Sequence, residues 1–137
     1  AKRMVDIPVP MFGVRGIRFL AKHLESWPAR YGVKKANALV GNVVRMQEEI
    51  GTGGAGFRFL YSAFLQEAGQ HLHRPEWIEA AAALGATGDR WRDFAILGAQ
   101  LVKGRETADS AYRKLADTLR ECATQEEQIF TRLRNAR

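Results

Sequence analysis

Gly51 to Leu65 reads GTGGAGFRFLYSAFL, and the job of its glycines decides the fold. Its first six residues match G-x-G-x-x-G, the pattern that cradles a dinucleotide pyrophosphate. That use needs a strand before the pattern, a helix after it, and an acidic residue ~20 positions on to hold the ribose. Here the preceding apolar residues, Ala36, Leu39, Val40, Val43, Met46 and Ile50, recur at helical spacing. Beyond the pattern lies HLHRPEW, where no strand ends in an acid. The G-K-[ST] of a Walker-type loop is absent as well. The nucleotide reading fails on context, and no cofactor is expected in this chain.

What remains is a Gly-rich bend between two helices. Gly51 suits the left-handed conformation that closes a helix. Gly53, Gly54 and Gly56 let the chain turn sharply or approach another backbone closely. The next helix then begins at about Phe57 and directs free backbone N–H groups into the loop, an arrangement that attracts anions. Arg58 in its first turn opposes the helix macrodipole, at a cost of a few tenths of a kcal/mol or more. Two explanations stand: Arg58 binds an acidic group or pins a neighbouring domain, or it reaches sideways to a carboxylate of the bundle. Gly53, Gly54, Phe57, Arg58 and Tyr61 are the candidate contacts for a substrate or partner.

Outward from the bend the period stays helical. Upstream, Ile17, Leu20, Ala21, Leu24 and Trp27 precede Pro28, which is expected to stop that helix. Downstream, Phe57, Leu60, Tyr61, Phe64, Ala68 and Leu72 form one set. Pro75 then suits a first helical turn, with Glu76 near its positive end. That helix carries Trp77, Ala81, Leu84, Trp91, Phe94 and Leu101. Gly85 and Gly88 inside it each cost ~1 kcal/mol relative to alanine and predict a kink or break. The last helix places Ala111, Tyr112, Leu115, Leu119, Cys122, Ile129 and Leu133 on one face. Its Thr124 and Glu127 form a T-x-x-E capping box, which predicts two helices in series. Only VDIPVP reads as extended, confined by its prolines to an edge or loop. The expectation is an all-α, single-domain bundle of about five helices over residues 12–137, with residues 1–11 a linker or extended docking segment.

At 137 residues and 46% hydrophobic content the chain suffices for one modest core. No apolar run approaches the ~20 residues that span a bilayer, and the first residues lack a signal core, so a cytoplasmic setting is expected. A single cysteine fits a reducing compartment. The charge of +6 is uneven: through Ile50 there are nine bases against four acids, and afterwards twelve against eleven. An anionic partner would therefore meet the amino-terminal third, unless the excess is only a solvated surface. Nucleic acid is not the expected partner, because no helix carries a dense basic stripe.

Chemistry within the chain looks sparse. Cys122 shares a face with Leu115 and Leu119, which predicts a buried, inert thiol. His71 and His73 are two apart, His23 is distant, and no ligand spacing suggests a metal. Glu67 faces Arg74 or Gln70 as readily as a substrate. The three tryptophans are expected in the core. No residue is assigned as catalytic.

The stretch GTGGAGFRFLYSAFLQEAG, with GVRGIRFLAKHLESWP before it and WIEAAAALGATGDRWRDFA after it, resembles the helical carboxy-terminal domain of butirosin biosynthesis protein H-like acyltransferases. That family's pattern, G-x-G-G-x-x-F-R-x-x-Y-x-x-F-L-x-E-A, is filled by Gly51, Gly53, Gly54, Phe57, Arg58, Tyr61, Phe64, Leu65, Glu67 and Ala68. The resemblance runs from about Met11 onward. It implies acyl transfer from an acyl carrier protein to an amine in natural-product biosynthesis, with the catalytic cysteine and histidine in a preceding papain-like domain. No position here matches those two residues. The implied partners are that preceding domain and an acidic acyl carrier protein, and the alternatives are a stand-alone module that self-associates through an exposed bundle face or, from the pI near 9.9, a basic nucleic-acid-binding domain.

Overall fold

The computed structural model describes residues 1–50, 54–105 and 108–136. Seven helices lie among them: α1 (Lys2–Asp6), α2 (Gly13–Leu24), α3 (Trp27–Tyr31), α4 (Val33–Glu48), α5 (Arg58–His71), α6 (Pro75–Val102) and α7 (Ala108–Asn135). A 3-10 turn, Ala55–Phe57, leads into α5. The described residues contain no strand. Five of the helices have 12 to 28 residues, as the apolar periodicity predicts, and two five-residue helices join them.

α6 lies between α4, α5 and α7, and α7 carries α2 and α1 on its other side. Every long neighbour runs antiparallel. Against α5, Gly69 sits beside Ile78 and Ser62 Oγ donates to the Ala81 carbonyl at 2.6 Å. Against α4, Gln47 reaches the Trp91 carbonyl while Gly98 meets Val40 and Val44. Arg90 pairs with Glu121 of α7 at 3.1 Å. Arg18 and Glu25 of α2 pair with Glu127 and Arg120 of α7. These hydrogen bonds hold the Glu25 and Glu127 carboxyls below the usual carboxylate range. The main core gathers Val14, Ile17, Ala21, Leu24, Val40, Phe94, Leu101, Leu115 and Leu119. A second cluster forms around Leu65, Leu84, Ile129 and Phe130.

Several local expectations are corrected. Pro28 does not stop a helix; α2 ends at Leu24, and Pro28 sits in the first turn of α3, where its missing N–H is harmless. Gly85 and Gly88 do not break α6, which runs through both. A Cβ at Gly88 would stand 2.7 Å from Phe59 Cε1, so this glycine lets α5 and α6 close on each other. Thr124 and Glu127 do not cap a second helix. Thr124 Oγ1 donates to the Arg120 carbonyl at 3.0 Å, Glu127 goes to Arg18, and α7 continues. Lys2–Asp6 is helical rather than extended, rests on α7 and α2, and holds Asp6 against Arg134 at 2.6 Å. The cap expected at Gly51 lies outside the described residues.

The face of α5 is also corrected. Phe57, Leu60, Phe64 and Leu72 are 52% to 65% exposed, whereas Leu65 and Gly69 are buried against α6. Trp91 is buried and Trp27 packs on the core, while Trp77 lies half-buried beneath Arg74. Among the described residues no helix is long and apolar enough to cross a membrane.

Close approach yields a contrast of sign. Cβ atoms at Gly88 and Gly98 would stand 2.7 Å from a Phe59 ring atom and a Val44 methyl, so alanine at either should destabilise by about 1–3 kcal/mol. At Gly85 the nearest foreign atom would be 3.5 Å away, and alanine there should stabilise by up to about 1 kcal/mol. Urea unfolding of the three variants measures both signs.

Candidate functional site

A carboxylate removed from water needs a cation and hydrogen-bond donors, or its desolvation costs several kcal/mol. Glu126 of α7 is in that position, with no exposed side-chain surface. Arg58 meets it in fork geometry, Nε donating to Oε1 at 2.8 Å and Nη2 to Oε2 at 3.2 Å. Trp91 Nε1 donates to Oε1 at 2.7 Å. The guanidinium also lies over the Trp91 ring, 4.4 Å from its centroid. Of the two explanations for Arg58, the sideways reach to a bundle carboxylate is the geometry observed.

That reach fixes how α5 must begin. From Gly54 to Phe57 the φ angles are 84°, 49°, 52° and 69°, four left-handed residues in succession. Two of them, Ala55 and Phe57, carry side chains that disfavour this region, so the junction stores strain of order 1–3 kcal/mol per residue. Polar contacts hold it there. Ala55 N donates to Glu48 Oε1 at 3.0 Å, Gln47 Nε2 spans Glu48 Oε1 and the Trp91 carbonyl, and Arg58 Nη1 donates to the Gly56 carbonyl at 3.0 Å.

Beside the ion pair opens a cavity of about 460 Å³, walled by Met4, Phe57, Tyr61, Leu84 and Phe130, with Arg58 and Glu126 at its polar end. An adjoining open groove of about 630 Å³ follows Leu60, Ala63, Phe64 and Glu67 along α5, sharing Phe57 and Tyr61. Tyr61 stacks between Phe64 and Phe130, at centroid distances of 5.8 and 6.2 Å, and partial burial pushes its phenol upward in pKa.

Of the expected contact residues, Phe57, Arg58 and Tyr61 come together at this cavity. Gly54 is buried behind them against Glu48 and Arg92, and Gly53 lies outside the described residues. A family model described as "Domain of unknown function (DUF4872)" matches residues 1–133. The chain belongs to the DUF4872 family. The match takes in α1 as well as the six later helices, so the cavity wall contributed by Met4 lies within the family span. No curated protein and no solved structure matches the chain.

The DUF4872 domain builds its site with Trp91, which the periodicity placed in the core, and with three residues the periodicity passed over: Glu126, Gln47 and Glu48. Glu126 had a signal, since it falls four residues after Cys122 and three before Ile129 on an otherwise apolar face. Cys122 itself is wholly buried, and burial pushes its thiol up to about 12, with the Glu126 charge adding to the effect. His71 and His73 are exposed, and no metal-binding cluster occurs among the described residues. Glu67 is exposed at the groove edge.

Two outcomes test this description. Arg58→Met should cost about 3–5 kcal/mol, because it strands the Glu126 carboxylate, while the double variant Arg58→Met/Glu126→Leu should recover most of that loss. Denaturant melts of the two single variants and the double variant give the coupling. Cys122 should ignore a disulfide-exchange reagent at pH 8 in the native DUF4872 domain and react fully once the chain is unfolded. Rapid native labelling would contradict the burial.

Proposed function

We propose that this chain is the accessory helical domain of an acyltransferase similar to butirosin biosynthesis protein H. In this reading it supports transfer of an acyl group from an acyl carrier protein to an amine, and the catalytic cysteine and histidine belong to a preceding papain-like domain. The observation that carries the proposal is how the resembling motif divides. Arg58 and Leu65 turn inward and hold α5 to the bundle. Phe57 and Phe64 of the motif, with Leu60 between them, lie at i, i+3 and i+7 as an exposed apolar stripe, although Phe57 also walls the cavity and Phe64 stacks on Tyr61. A stripe of this kind is the mark of a surface that another domain covers.

Two further features support the reading. The buried, unreactive Cys122 suits a domain whose nucleophile is supplied elsewhere. At the α3–α4 elbow, Arg30 and Lys35 flank the Tyr31 ring at 5.3 and 5.4 Å, with no carboxylate partner among the described residues. Such exposed cations suit an acidic carrier protein. The same stripe also favours a second reading, self-association of the helical domain.

The test is made in the full-length parent. Leu60→Ser/Phe64→Ser, which removes two exposed side chains of the stripe, should lower carrier-dependent transfer by about tenfold or more, the equivalent of ~1.4 kcal/mol of lost contact. The thermal midpoint of the 137-residue chain should stay unchanged. Undiminished transfer would remove the stripe from the reaction, and a concentration-dependent dimer of the isolated chain in sedimentation would favour the second reading.

A further inference from the structure

We propose that the loop before α2, together with the outer face of α2, docks on an anionic lipid bilayer, its apolar tip among the headgroups and its flanking bases on their negative charge. None of these residues belongs to α5, and the proposal does not rest on the acyl-transfer reading.

The loop is the anomaly. Pro8, Val9, Pro10, Met11 and Phe12 follow one another, all exposed, and Val9, Met11 and Phe12 are 45% to 64% open. Five consecutive apolar residues facing water add nothing to a bundle, and such a patch marks a contact with a partner or a membrane. The backbone here leaves water at a reduced cost. Pro8 and Pro10 carry no N–H, the Phe12 N–H donates to the Val9 carbonyl at 3.3 Å, and the Phe12 carbonyl accepts from Gly16 at 3.1 Å. At Gly16 a Cβ would stand 2.5 Å from the Met11 carbonyl oxygen, so the loop is seated on α2.

The helix extends the surface. α2 buries Val14, Ile17, Ala21 and Leu24. At about 3.6 residues per turn, Phe12 and Phe19 fall on the opposite side, with exposed Arg15 and Lys22 on one flank.

Charge then selects the partner. From Ile7 to Leu24 there are three bases, Arg15, Arg18 and Lys22, and no acid. The nearby carboxylates are engaged: Arg18 holds Glu127 at 2.7 Å with Arg15 close by, and Arg134 holds Asp6 at 2.6 Å. The region is left with four bases against two acids. A second copy docking here about a two-fold axis would gather the same bases at one interface. An acidic bilayer offers acyl chains to the tip and negative headgroups to Arg15 and Lys22 together. No residue from Ile7 to Leu24 lines either cavity described above, and a deformable bilayer needs no groove.

Vesicle co-flotation of the 137-residue chain tests the surface. Phosphatidylcholine vesicles with about 30% phosphatidylserine should carry the chain about tenfold or more better than phosphatidylcholine alone, and salt at about 0.5 M should remove most of that difference. Met11→Ser/Phe12→Ser should lower partition onto the acidic vesicles by about tenfold or more, with the thermal midpoint unchanged. Arg15→Gln/Lys22→Gln should produce a loss of about the same size, while Leu60→Ser/Phe64→Ser on α5 should bind as the unsubstituted chain does. No partition, equal partition onto both vesicle types, or full partition by Met11→Ser/Phe12→Ser would each overturn the proposal. An acidic protein as the true partner would give the first result, and general stickiness of the α5 stripe would appear as a loss in Leu60→Ser/Phe64→Ser, which overturns it too. The lipid comparison is read on the unsubstituted chain, so a variant that fails to fold leaves the test decisive. Transfer by the parent is not measured, and either idea can fail without the other.

Discussion

A carboxylate closed off from water sets the terms for this fold. Glu126 sits on α7 where α5 and α6 converge, and each of those helices spends a side chain on it, Arg58 from one and Trp91 from the other. Because Arg58 is the first residue of α5, the helix has to start at that depth and in that direction. Four left-handed residues in succession are what it takes to arrive there from α4. Strain in the backbone is thereby held by charge in the core. Burial is the main reason the chain's only thiol, Cys122, resists ionisation one turn earlier, and the charge of the same carboxylate adds to that cost.

How much of this the sequence discloses depends on the kind of signal. Arg58 stands out because a cation in a first turn works against the helix dipole. Glu126 stands out equally once the last helix is written by register, since Leu115, Leu119, Cys122, Ile129 and Leu133 leave one core position for it. Their pairing is another matter. The two are 68 residues apart, and several cations compete in composition for any one acid. Local preference says that each residue needs a partner; only packing says which.

The glycines of α6 show a different limit. Helix propensity charges each glycine about the same wherever it sits, which turns Gly85 and Gly88 into an apparent weak point. Tertiary contact separates them, because a Phe59 ring occupies the space where a Cβ at Gly88 would go, while Gly85 has ordinary room. Gly98 plays the part of Gly88 on the α4 side, where Val40 and Val44 close in. Residues that look like helix breakers are here the means by which a 28-residue helix is packed from three directions. Pro28 follows the same logic: what forbids it inside a helix suits it to the first turn of the next.

α5 carries the ambiguity that bears on function. A period of 3.6 residues identifies an apolar face without saying what covers it. On α5 two such faces exist: Leu65 and Gly69 lie against α6, and Phe57, Leu60 and Phe64 lie in the open. A helix with only the outer set would have to turn it inward to fold. Because the inner face is completed by small residues, by Ser62 bonding to the α6 backbone and by the Arg58 fork, the larger side chains are left for the surface. The contacts that hold the bundle and the exposed apolar side chains thus lie on opposite sides of one fourteen-residue helix, and the ion pair at its start fixes the orientation of both.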